Sequence, residues 1–342
     1  MTRNVIGLLI ALSVFANTSR AADAPTIDEV KKAWQKRQNA HKAFRIEWVE
    51  TVTVKAGGYD HFETENPGPH PPKDTEHKAT CSFAIDGDKV AMADERMLYA
   101  PGTQTWIPYA TSTSFDGQTW RSVQPLHGRG WPPVQIETGF ARNRGAVQSG
   151  INQPSWMVHR PLASKPSFDF ARFKLAGRTS KIGPVECVEL VPTDAAKKDA
   201  RPGYDHALWC DPDRDFLPIR EKKRSAIGGS DVDYAYRKDG KGGWALSGWT
   251  IERLDPKGGV EHTSKAEVKK LDLDPKFAAD AFAPKPPAPS HVAVYADAVK
   301  TEEYLIRADG SKRIIPADEP SRDYTELAKT NADGTPYAPA KK

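Results

Sequence analysis

Several groups of polar residues have the types that chemistry needs. Asp211, Asp213 and Asp215 alternate like the opening of a calcium loop, which requires glycine at the sixth position and a bidentate acid at the twelfth. Phe216 and Lys222 stand there instead, so the Asp-Pro-Asp run reads as a tight turn between Trp209 and Leu217. His61, His70 and His77 with Cys81 offer imidazole and thiolate to zinc, but their spacing passes through Pro-Gly-Pro and Pro-Pro and fits no compact zinc pattern. A solvated loop explains them, and no metal site is expected. Asp231 and Asp233 project to one face of a strand, where paired carboxylates could share acid and base work. Beside Tyr234, Tyr236 and Arg237 they read more simply as the wet side of a sheet. There is no G-x-S-x-G elbow, H-E-x-x-H, phosphate loop, dinucleotide fingerprint or Cys-x-x-Cys pair. The chain is therefore expected to be no enzyme, with no catalytic residue and no cofactor; a secreted hydrolase assembled from remote groups such as His127, Asp231 and Asp233 is the alternative.

The three cysteines, Cys81, Cys187 and Cys210, are an odd number, so one thiol is left over from any pairing. If Val185 to Val191 and His206 to Cys210 are antiparallel neighbours in a register symmetric about the intervening loop, Cys187 faces Cys210. Val188 then faces Trp209 and Leu190 faces Ala207. Cys187 and Cys210 are thus a disulfide candidate in an oxidising compartment, against the alternative of two small buried residues that never meet. The partner of Cys81 is open.

Compartment is written at the N-terminus. Arg3, an apolar run from Val5 to Ala16, and small residues at Ser19 and Ala21 ahead of Ala22 form a cleaved signal peptide over residues 1–21. The run is shorter than the ~20 residues a membrane-spanning helix needs. A periplasmic or secreted, soluble mature chain is expected, without a lipid-modified N-terminal cysteine. Removing Arg3 and Arg20 lowers the net charge from +4 to +2, and basic and acidic residues are interleaved, which argues against nucleic acid as a partner.

The positioning elements follow from periodicity. Thr26 and Glu29 form a capping-box pattern, and Ile27, Val30, Ala33, Trp34 and Ala40 recur at helical spacing, so a helix runs from about Ile27 to His41. The period then changes to two: Phe44, Ile46, Trp48, Val52 and Val54 mark a long half-buried strand. Short alternating runs recur to about residue 270, at 80–85, 104–109, 118–123, 173–178, 185–191, 217–223, 232–237, 244–254 and 260–268. Asp86-Gly87, Asp116-Gly117 and Asp239-Gly240 supply hairpin turns. With so few helices between strands, an antiparallel sheet is favoured over a parallel one. Tyr59 to Lys73 reads as a surface loop. Leu126 to Leu162 resists assignment apart from a short helix near Ser155 to His159 lying over the sheet. A Pro-rich linker and hairpin occupy 286–315, and 316–342 reads as a disordered tail.

Trp48, Phe83, Trp106, Trp120, Trp209, Trp244 and Trp249 sit on the strands. Such rings cover the core of a large sheet, and as a set they leave room for a groove that takes an acyl chain or other apolar ligand.

The order of elements resembles the LolA-type superfamily of periplasmic lipoprotein-sorting domains, including the sensor half of RseB-like regulators. The likeness begins where the N-terminal helix leads into Phe44-Arg-Ile-Glu-Trp-Val. It continues through Phe83-Ala-Ile-Asp-Gly and Ser114-Phe-Asp-Gly, and is clearest at Ala207-Leu-Trp-Cys-Asp-Pro-Asp-Arg-Asp-Phe-Leu-Pro-Ile-Arg. Phe277 to Pro284 is similar to the superfamily's terminal phenylalanine-and-proline segment. The resemblance covers about 25–285 and implies an open antiparallel β-barrel or strongly curved sheet with the N-terminal helix packed against it. It also implies lipid or lipoprotein acyl chains as partners. Trp48, Val52, Phe83 and Trp120 are then the expected wall of the apolar cavity. The alternative is a regulatory or scaffold domain binding another envelope protein through an exposed sheet edge or the hairpin near Val292.

Overall fold

The computed structural model describes residues 25–58, 71–100, 103–124, 131–138, 154–162, 169–199, 204–239, 243–317 and 323–338. Residues 1–24, which include the expected signal peptide, lie outside them, as do His61, His70, His127 and most of the Tyr59–Lys73 loop.

Helix α1 (Ile27–Ala40) opens on the capping box expected of Thr26 and Glu29, and buries Val30 and Trp34. Sixteen strands follow and form one sheet: β1 (Ala43–Val54), β2 (Thr75–Asp86), β3 (Lys89–Ala100), β4 (Thr105–Phe115), β5 (Thr119–Val123), β6 (Pro133–Thr138), β7 (Phe173–Ile182) and β8 (Val185–Pro192) make the first half. The second half is β9 (Asp205–Asp211), β10 (Leu217–Ser225), β11 (Gly228–Lys238), β12 (Trp244–Leu254), β13 (Val260–Asp272), β14 (Ser290–Ala296), β15 (Val299–Ile306) and β16 (Lys312–Ile314). Short helices α2 (Pro154–His159), α3 (Asp194–Asp199) and α4 (Tyr324–Leu327), with two 3-10 turns at Phe170–Arg172 and Pro212–Arg214, complete the described elements.

The sheet is curved and unclosed, in the order β16-β15-β14-β6-β5-β4-β3-β2-β1-β13-β12-β11-β10-β9-β8-β7. Every pairing is antiparallel except β6 with β14. Both edges are protected: β16 is three residues long, and β7 carries a register shift between Leu175 and Thr179.

β1 shows how the sequence sets the faces. Its residues from Phe44 to Val54 alternate, with every second one buried, and this row meets Ile85, Phe83, Cys81 and Ala79 of β2 on the same face. Onto that inner face α1 lays Val30 and Trp34, and α2 lays Trp156, Met157 and Val158. Trp34 Nε1 donates to the Phe216 carbonyl at 2.8 Å, which pins the helix to the β9–β10 turn. Burying each large side chain in this layer stabilises by about 1.5–3 kcal/mol.

Several expectations are corrected or refined. The β8–β9 register puts Val188, not Cys187, opposite Cys210, one residue away from the loop-symmetric pairing. Because a one-residue shift turns a side chain to the other face, Cys187 and Cys210 project from opposite sides and all three cysteines are free. The hairpin expected within 286–315 is β14 and β15, and β14 adds to β6, which extends the sheet edge. The tail is not without structure either. Leu327 packs on Leu305 and Ile315, while Arg307 donates to the carbonyls of Ala328 and Thr330, both at 2.7 Å, and Arg313 donates to Thr330 at 2.9 Å. Charge-assisted bonds to main-chain carbonyls, not an apolar period, order this segment. Finally, β6 is a strand inside the Leu126–Leu162 stretch that resisted assignment, and β3 lies outside the expected runs.

Candidate functional site

Polar groups gather at four places on the inner side of the sheet. The first is a buried charge cluster. Register aligns Trp48 with Cys81 and Asp94, and Glu50 with Ala79. Arg96 Nε lies 2.6 Å from Asp94 and its Nη2 3.7 Å from Glu50, while Trp48 Nε1 donates to Glu50 at 2.8 Å. Burial opposes the guanidinium charge, but Asp94 and Glu50 outweigh it and hold the Arg96 pKa above its usual value. Burial, then Glu50 and Asp94, pushes the Cys81 thiol far up, and its Sγ donates to Asp94 at 3.4 Å. A thiol so held is neither nucleophile nor metal ligand.

The second place is a chain of bonds on β9, β10 and β11. His206 Nε2 meets Glu221 Oε1 at 2.8 Å, its Nδ1 meets Tyr204 Oη at 3.1 Å, and Lys223 lies 2.9 Å from the same carboxylate. Burial would raise the Glu221 pKa, yet Lys223 and His206 bring it well below the carboxylate range. The chain orients an imidazole, but the group at its outer end is a phenol whose pKa burial raises.

The third is an imidazole pair at the junction of α1 and α2. His41 and His159 share a bond between their Nδ1 atoms at 3.0 Å, and the His159 ring packs tilted against Phe44 with centroids 4.6 Å apart. His159 Nε2 is buried without a partner. Burial, then Arg37 and Arg160, lowers the His41 pKa to about 4; burial, then His41 and the same two arginines, lowers that of His159 well below the usual histidine value.

The fourth is a pocket of about 220 Å³ where β5, β6 and β14 meet. Ser122, Gln124 and Gln135 supply its hydroxyl and amides; Trp131, Tyr295 and Tyr324 supply rings. Tyr324, brought in by α4, stacks on His291 at 4.3 Å and 17°. His291 Nε2 in turn meets Glu303 at 2.8 Å, and Lys300 lies 2.5 Å from the same carboxylate. Burial raises the Glu303 pKa, but Lys300 and His291 together lower it below the usual range. Ser122 is 3 % exposed and its Oγ has no hydrogen-bond partner.

Of the expected cavity wall, Trp48, Val52 and Phe83 do share the inner face. They are 1, 0 and 0 % exposed, so no space the size of a water molecule lies against them. Trp120, on β5, is half-buried and outside the pocket lining. Asp231 and Asp233 are taken by cross-strand cations: Arg220 grips Asp233 at 2.5 and 3.0 Å, and Arg224 reaches Asp231 at 2.5 Å. Asp211 builds the predicted turn, accepting from the Asp213 N–H at 2.9 Å and pairing with Arg214 at 2.9 Å. Among the described residues no group of His, Cys, Asp and Glu could hold a metal, and no helix is long and apolar enough to cross a membrane. Sequence reasoning missed Asp94, Arg96 and the whole pocket. The signal for β6 was present in Val134 and Ile136 at alternate positions, but nothing in the sequence announces its parallel partner.

No family model matches the chain, and no curated protein matches it. Among solved structures, the chain is similar to the one described as the crystal structure of MucB in complex with MucA(peri), at 13% identity over 74% of this chain and 59% of that chain, with a TM-score of 0.20. The match thus spans less than two thirds of that chain, and likeness at this level assigns no family.

Proposed function

We propose that this chain is an exported, non-catalytic binding protein of the cell envelope that holds part of its ligand in the pocket between β5, β6 and β14. One observation carries the reading: Trp131, Tyr295 and Tyr324 line one pocket together with Ser122, Gln124 and Gln135, and the Ser122 hydroxyl there is unpaired. Unpaired buried polar groups cost stability, and a site that keeps them gains when a ligand completes their bonds. Binding is favoured over catalysis because a serine nucleophile needs a base bonded to its hydroxyl, and Ser122 Oγ has none. Acyl carriage has less support, because Trp48, Val52 and Phe83 are closed over by protein.

Protein-observed NMR of the chain recovered from an envelope fraction tests this reading. The probe set holds neutral hydroxyl-rich rings, aromatic amides, carboxylates, amines and laurate. The mature N-terminus is expected at Ala22, and at least one probe class should shift the pocket resonances, stay chemically unchanged and lose its effect in Trp131→Ala. A chain retained uncleaved, a pocket silent to every class, or turnover of a bound probe would overturn it. Laurate acting alone, on core tryptophans and not on the pocket, would restore the acyl reading.

A further inference from the structure

Resting on that reading, we propose that the pocket takes a neutral, hydroxyl-rich ring, a sugar unit of hexose size. Size is the first ground. A volume of about 220 Å³ equals the liquid volume of about seven waters at ~30 Å³ each, and falls below the ~300 Å³ at which sites for drug-sized ligands begin. That is room for one six-membered ring with its substituents.

Charge is the second ground. Among the described residues, none that lines the pocket is Lys, Arg, Asp or Glu. The one titratable group in the wall besides its two phenols, His291, is engaged by Glu303, whose charge Lys300 shares. The local charges are compensated among themselves, so a phosphate, carboxylate or ammonium would leave water without meeting a free counter-charge. A neutral ligand bears no such cost.

Bonding pattern is the third. A hydroxyl both donates and accepts, and so do Ser122 and the two amides of Gln124 and Gln135, each amide having two N–H donors and a carbonyl acceptor. None of these three side chains is hydrogen-bonded among the described residues, and the Oγ of Ser122, a lining residue, is buried and unbonded. The rings of Trp131, Tyr295 and Tyr324 line the same pocket. Aromatic faces are electron-rich, and the axial C–H hydrogens of a pyranose present a weakly positive apolar side that fits against them. One flank of the ligand must therefore be apolar and flat, and the other studded with hydroxyls.

The experiment titrates glucose and N-acetylglucosamine into the full mature chain, read by saturation-transfer NMR and Trp fluorescence, with sorbitol as an open-chain control bearing similar hydroxyls without a ring face. Both pyranoses should saturate at millimolar concentration, with sorbitol at least about tenfold weaker. Ser122→Ala should weaken binding by about five- to tenfold, the worth of one hydrogen bond, without moving the thermal midpoint downward. Tyr324→Ala, which removes a wall together with its stack on His291, should weaken it more. If no pyranose saturates while another probe class occupies the pocket, this inference fails and the binding reading stands. If nothing occupies the pocket, both fail. Equal binding of sorbitol and glucose, or binding indifferent to Ser122→Ala and Tyr324→Ala, also overturns the assignment.

Discussion

Acidification should loosen the junction of α1 and α2, and the structure supplies the size of the effect. His41 and His159 can share only one proton between their facing Nδ1 atoms, and the second imidazole nitrogen of His159 has no acceptor. From α1, Arg37 faces the pair; from the residue after α2, Arg160 does, itself partly offset by Asp88. A folded-state pKa of about 4 for His41 lies below the ~6.5 of an unfolded histidine. The unfolded chain therefore binds more protons between those values, so stability falls as pH drops through that window and is fully present above it. From pH 7 to pH 5 a single group shifted this far costs about 2 kcal/mol, and about 1 kcal/mol once the partial exposure of His41 screens it. His159, wholly buried, adds in the same direction. The assay is urea unfolding at both pH values for wild type and His41→Gln, which keeps an acceptor for His159. Wild type should lose about 1–2 kcal/mol more than the variant on acidification. A variant with the same pH dependence as wild type refutes the assignment, since His77, His206, His262 and His291 are present in both proteins.

The remaining expectations concern buried groups and the tail. Thiol titration without reductant should find all three cysteines reduced and reactive only after denaturation; an intact mass two hydrogens short would place a disulfide where the sheet register forbids one. Replacing Arg96 by Met strands Glu50 and Asp94 as unpaired buried carboxylates and should cost about 3–5 kcal/mol in urea unfolding; a loss under about 1 kcal/mol would mean that the cluster is solvated. Arg307→Ala with Arg313→Ala should expose the segment from Tyr324 onward to limited proteolysis while the thermal midpoint of the sheet stays within a few degrees. Protection equal to wild type would show that Leu327 alone secures it.

Legibility followed the physics of each element. Helix α1 and strand β1 were readable because one face of each is almost purely apolar, and the capping box and hairpin turns are local codes. β3 was not, since the run Asp94-Glu95-Arg96 breaks the apolar alternation at the point where the strand turns Asp94 and Arg96 inward. Those charges are tolerated because Glu50 arrives from β1, two strands away in the sheet, to complete them, and a pairing between strands leaves no local trace. The pocket was invisible for the same reason: β5, β6, β14 and α4 bring its walls together from distant parts of the chain, joined by a parallel pairing of β6 with β14. The disulfide expectation failed on a single residue of register, the smallest error a strand allows and the one that reverses every side chain.

The closed inner face bears directly on what the protein can carry. For an acyl chain to reach Trp48 and Phe83, α1 and α2 must lift, exposing Val30, Trp34, Trp156, Met157 and Val158. At about 1.5–3 kcal/mol for each side chain, opening costs on the order of 8–15 kcal/mol. A laurate tail of about ten methylenes recovers only about 8 kcal/mol, before the loss of translational freedom is counted. Binding at neutral pH should therefore be absent, whereas acid, by weakening the His41–His159 junction, lowers the same opening cost. Saturable laurate binding at neutral pH that displaces α1, seen as loss of the Trp34 bond to Phe216, would show that the cover is held far more loosely than its burial implies.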